Sequence, residues 1–156
     1  MDDSALREQL VSSLEGRGAH MGFERAVKGM TPELAGRRVP GLAHTAWQLA
    51  WHIGVAQHDI LEFVRDPGWK SPSWPEGYWP REDAPKSATA WEEMLARYRR
   101  DQVAIITLVR DAKSDLFAPF PHGDGQTLLR EALLVIDHTS YHTGQVVDLR
   151  RLLGIG

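Results

Sequence analysis

The run "VIDHTSYHTGQVV", Val135 to Val147, sets two histidines four residues apart among apolar side chains. On a helix, His138 and His142 stack on one face with Cβ atoms about 5 to 6 Å apart, a spacing that suits two ligands on one metal ion. Val135, Ile136, Val146 and Val147 flank the pair and mark a helix that packs into a core. An unpaired imidazole there costs on the order of 1 to 3 kcal/mol, so a polar or metallic partner is expected for those nitrogens. The run is not HExxH, because Thr139 follows His138 and leaves no glutamate on the helix to act as a base. A zincin-type peptidase is disfavoured.

Outward from that run, the helical period extends from about Gln126 to Leu153 and stops at Gly154. Three earlier segments carry the same period. The first runs from about Ser4 to Val27, weakened by Gly16, Gly18 and Gly22. After a Pro- and Gly-rich connector, Met30 to Gly41, the second starts near Thr45 as N-cap and carries Leu49, Ile53, Ala56, Ile60 and Phe63 on one stripe. The third is capped by Ser87, with Trp91, Leu95, Tyr98, Val103, Ile106 and Val109 as its apolar side. No strand pair, repeat or low-complexity tract intervenes, so four helices must bury their stripes on one another as a single four-helix-bundle domain over residues 1–156.

Between Asp66 and Ser87 the chain is aperiodic, yet it holds Trp69, Trp74, Tyr78 and Trp79. Those are poor residues for a disordered linker, and the segment is expected to pack against the domain or a partner. It can reach ~65 Å extended against ~33 Å for a helix of its neighbours' length, which permits the second and third helices to run parallel.

With 18 Lys+Arg against 21 Asp+Glu, the net charge of -3 and the lack of a basic stripe make nucleic acid and anionic membranes poor partners. There is no cysteine, which excludes disulfides, a thiolate zinc site and a cysteine nucleophile. No apolar run reaches the ~20 residues that span a bilayer, and the acidic start "MDDSALREQL" is unlike a signal peptide. The expectation is a soluble, cytoplasmic protein.

A third ligand must come from another helix, and His52 in "LAWHIGV" is the best placed. The alternative is a core histidine bonded to a backbone carbonyl. His58, six residues on, is about 120° away round the helix and cannot share its site. His20, His44 and His122 read as exposed. Glu131 and Asp59 stand seven residues from His138 and His52 and read as further ligands, bases or solvated groups. Asp137 and Gln145 adjoin the histidine pair and are candidates to orient a ligand imidazole. Gly144 inside the helix suggests a close helix approach or a cramped site.

"AWQLAWHIGVAQHDIL" in the second helix and "LLREALLVIDHTSYHTGQVVDLRRLLG" in the fourth resemble the two signature helices of the DinB/YfiT-like metalloenzyme superfamily. The resemblance covers essentially the whole chain. It rests on a lone His in helix two joined to H-x-x-x-H followed by G-Q in helix four. It implies a left-handed bundle in up-down-down-up order, a divalent-metal site at His52, His138 and His142, and a homodimer. Implied activities include S-transfer from bacillithiol or mycothiol and a thiol-dependent isomerase.

Three neutral imidazoles leave a divalent ion its charge and an open position, the pattern of a catalytic site. Zinc, nickel and iron(II) all accept such ligands. Lacking cysteine, the chain would take any thiol from a cofactor, with Asp137, Tyr141 and Gln145 around the site. The expected function is a metal-dependent transferase that uses a small-molecule thiol, or a hydrolase, on a small-molecule substrate, with a cavity at the metal lined partly by the Trp-rich loop. The alternatives are a non-catalytic metal-binding stress-response bundle and a dimerisation module that presents exposed Trp74 and Trp79.

Overall fold

A computed structural model describes residues 2–155 and is all-α, its helices being α1 (Ser4–Leu14), α2 (Phe23–Val27), α3 (Pro32–Ala35), α4 (Ala46–Arg65), α5 (Ala88–Arg110) and α6 (Leu128–Leu152). The expected all-α helical bundle is present, with six helices rather than four. The long first helix expected from Ser4 to Val27 breaks after Leu14, because Gly16 takes φ 70° and turns the chain out of the helix. Gly16 and Gly22 then close the turn on each other, and a Cβ on Gly22 would meet the Gly16 carbonyl oxygen at 3.0 Å. The Met30 to Gly41 connector holds the single turn α3, with Pro32 at its start and Thr31 accepting from the Leu34 amide.

The three long helices begin on caps. The Thr45 hydroxyl accepts from the Gln48 amide while the Gln48 side chain accepts from the Thr45 amide, a complete capping box for α4. Ser87 caps α5, and Thr127 caps α6 through the Arg130 amide.

Contacts along these helices set their relative directions. Trp47 meets Trp91, Gln57 donates to the Tyr98 carbonyl and His58 pairs with Asp101, so α4 and α5 advance together. By contrast, Leu49 lies beside Leu149 and Leu61 beside Leu128, so α4 and α6 run opposite ways. Arg7 near the start of α1 donates to the carbonyls of Val109, Asp111 and Ser114, fixing α1 antiparallel to α5. The connection between Arg65 and Ala88 therefore travels back along the bundle, over α4.

Two apolar clusters fill the interior. One gathers Phe23, Trp47, Ile53, Trp91, Tyr98 and Leu149; the other gathers Leu10, Leu61, Ile105, Val109, Leu128 and Val135. Two details of the stripes differ from expectation. Val103 is 63 % exposed, since five steps from Tyr98 carry it about 140° round α5, whereas Ile105 takes the buried place. On α4, Leu61 is buried in place of Ile60 and Phe63, which are only half-buried. Among the described residues no helix is long and apolar enough to cross a membrane.

Candidate metal centre

The antiparallel crossing of α4 and α6 points His52 at the face that carries His138 and His142. The three rings form a near-equilateral triangle, with centroids 4.7 Å (His52 to His138), 4.7 Å (His52 to His142) and 4.6 Å (His138 to His142) apart. One nitrogen from each lies within 4.8 Å of the other two, and the Nε2 atoms of His52 and His138 are 2.9 Å apart. Among the described residues this is the one group of three or more such side chains placed to hold a metal ion.

Two of the three rings have their orientation fixed from behind. His52 Nδ1–H donates to the Tyr78 carbonyl at 3.1 Å, and His142 Nδ1–H donates to Gln145 Oε1 at 2.7 Å. An acceptor at Nδ1 selects the tautomer whose Nε2 carries a free lone pair, the form a metal ligand needs. Burial pushes the His52 imidazolium down to about 4, beyond what its bond to Tyr78 restores, and burial followed by the nearby His142 does the same for His138. Both rings are therefore neutral at pH 7 without any metal. An all-imidazole donor set of this kind suits zinc, nickel or iron(II).

The long connection is built into the centre. The Trp79 ring stacks on His52 at 3.9 Å and 9°, and His44 stacks on Trp79 at 4.2 Å. Trp79 is thus half-buried between two imidazoles, not the exposed partner surface its sequence context suggested. Trp74 does stand exposed. Asp59 holds the segment down, accepting from Trp69 Nε1 at 2.7 Å and the Tyr78 hydroxyl at 2.6 Å. Burial and this carboxylate together raise the Tyr78 hydroxyl to about 12. Asp59 is an anchor for the loop, a role its seven-residue spacing from His52 did not reveal.

The other candidates fall outside the triad. Asp137 is exposed, and Tyr141, also exposed, sets its ring edge-on to His142 at 4.9 Å. Glu131 is buried and pairs with Arg130. His58 bonds Asp101 at 3.0 Å, and His20 is exposed. His44 and His122 are half-buried where exposure was expected, His122 because its Nε2–H reaches the Phe63 carbonyl at 2.8 Å. Gly144 faces open space, with nothing within 4 Å of a Cβ placed there, so no close helix approach explains it. A cavity of about 410 Å³ adjoins the other side of α6, lined by Thr139, Thr143 and His20 but by none of the three clustered histidines.

No curated protein and no solved structure matches the chain. A family model described as the DinB superfamily matches residues 17–146, a span that takes in α4, the long connection, α5 and both histidines of α6. That match covers most of the chain and all three clustered imidazoles, and the chain belongs to the DinB superfamily.

Proposed function

We propose that the protein is a metal-dependent transferase that moves the sulfur of a low-molecular-weight thiol onto an electrophilic small molecule. The observation that carries this reading is the convergence of three imidazoles, two of them half-exposed, with no carboxylate among them. Such a donor set leaves a divalent ion its full charge and room for an exogenous ligand. When bound, the ion lowers the pKa of a thiol or water held beside it.

The chain's own groups do the rest. The Tyr78 carbonyl and Gln145 hold two rings in their ligating tautomers, and Trp79 closes one wall against water. In the transfer the thiol gives its S–H proton to solvent, sulfur forms a bond to the substrate's electrophilic carbon, and the bond from that carbon to the leaving group breaks, the leaving group departing with the electron pair. With no cysteine in the chain, that sulfur comes from a cofactor.

The test is elemental analysis of tag-free wild type beside His52→Ala and His138→Ala, with bacillithiol and mycothiol titrated into each. One equivalent of metal in wild type, lost in both variants, and thiol binding that requires the metal are expected. Wild type that takes up no zinc, nickel or iron(II) overturns the reading. Metal without any thiol response redirects it to hydrolysis.

A further inference from the structure

The triad meets the surface among aromatic rings. Trp74 and Tyr141, at 69 % and 66 % exposure, are the two most exposed large apolar side chains among the described residues. The other five tryptophans are buried or half-buried. Both exposed rings lie beside the histidines: Tyr141 is 4.9 Å from His142, and Trp74 is 6.4 Å from His52 and 5.4 Å from Tyr78. Trp79, 6.0 Å from His142, supplies the inner wall. The faces of these indole and phenol rings are apolar.

Leaving a tryptophan and a tyrosine in water costs apolar hydration that the chain's other tryptophans and tyrosines, buried or half-buried, largely avoid. Two stiff aromatic side chains lose little rotamer freedom when they clasp a ligand, and they favour flat partners through offset-stacked and edge-to-face contact. A cage of aliphatic side chains would cover similar area without preferring a planar ligand.

We propose that Trp74 and Tyr141 determine specificity by gripping a flat, uncharged aromatic or conjugated body of the substrate over His52, His138 and His142. The reaction at this site rests on the metal-dependent reading above; the binding preference does not.

The experiment titrates 4-nitrobenzyl alcohol, planar and uncharged, and cyclohexylmethanol, of similar size but puckered, into the full chain, with one equivalent of zinc and without metal. Binding is followed by calorimetry in wild type, Trp74→Ala, Trp74→Phe and Tyr141→Ala. The planar probe should bind at least about threefold more tightly than the puckered one, from the usual strength of aromatic pairs. Each alanine variant should lose about three- to tenfold for the planar probe, and Trp74→Phe should retain most of it, with melting temperature and metal content unchanged. Equal affinity for the two probes, or no change in either alanine variant, overturns the proposal. Self-association that vanishes in Trp74→Ala also overturns it, since a second copy would then cover these rings. Planar binding without any metal uptake would remove the metal reading and leave this one standing.

Discussion

Helices α4 and α6 meet in two ways. Toward the end of α4, Leu61 packs beside Leu128 and Ala132 in a seam of apolar side chains, bordered by Glu131, which pairs with Arg130. Nearer the start of α4 the same helices meet through His52, His138 and His142, whose rings lie 4.6 to 4.7 Å apart. The first contact takes apolar area from water and stabilises the bundle. The second takes polar rings from water and depresses the proton affinity of His52 and His138, which opposes folding of the metal-free chain at low pH. The seam sets where the helices lie, and the imidazoles exploit that placement.

The widest test of this division is Leu61→Ala. Leu61 is 1 % exposed, and its truncation should cost about 3 kcal/mol of stability in urea melts of the metal-free protein. The folded fraction should still bind metal with wild-type stoichiometry. Loss of metal binding from a fully folded variant would show that seam and site are one unit.

The imidazole end should be the source of pH dependence. Unfolded histidines titrate near 6.5, whereas His52 and His138 in the folded chain titrate at about 4. Between those values the unfolded chain binds more protons, so stability is fully present above about 6.5, falls as pH drops through the window and levels off below about 4. Urea melts of the metal-free protein between pH 4 and 7 should show that slope, reduced in His138→Ala. A flat profile would mean that the rings are hydrated in solution.

A smaller effect should follow from Asp59→Ala, which touches neither contact directly. It removes the acceptor of Trp69 Nε1 and the Tyr78 hydroxyl, freeing the segment whose Tyr78 carbonyl orients His52. Metal affinity should fall about tenfold, the lower end of what outer partners of metal ligands contribute. Unchanged affinity would confine the orienting role to Gln145 and the helices themselves.

What the sequence discloses follows from the reach of each signal. Local chemistry was legible: Thr45, Ser87 and the four-residue spacing of His138 and His142 are written in adjacent positions, and α4, α5 and α6 start within two residues of where they are expected. The break after Leu14 is not written as plainly, because three glycines weaken a helix by propensity but only the positive φ at Gly16 ends it. The bonds from Asp59 to Trp69 and Tyr78, and the stacking of Trp79 on His52, depend on how an aperiodic segment folds back over α4, which no period encodes. From sequence, a backbone-carbonyl partner for His52 stands as an alternative to metal binding. In the structure that bond uses Nδ1 and leaves Nε2 toward His138, so the two readings are compatible.

The smallest predicted effect separates polar burial that serves the site from polar burial that does not. Thr143 follows His142 on α6 and is 1 % exposed, and its hydroxyl has no hydrogen-bond partner among the described residues. A helical threonine can give its proton to the carbonyl four residues back, as Thr107 does to Val103 at 2.7 Å, but Thr143 makes no such bond. Replacing it with valine keeps the shape and removes an unsatisfied group, so Thr143→Val should stabilise the protein by about 1 kcal/mol without changing metal content. A loss of stability would instead place an ordered water from the adjoining cavity on that hydroxyl. In that case the face of α6 away from the histidines would also be polar by construction, and the contrast between the apolar seam and the imidazole end would describe α4 better than α6.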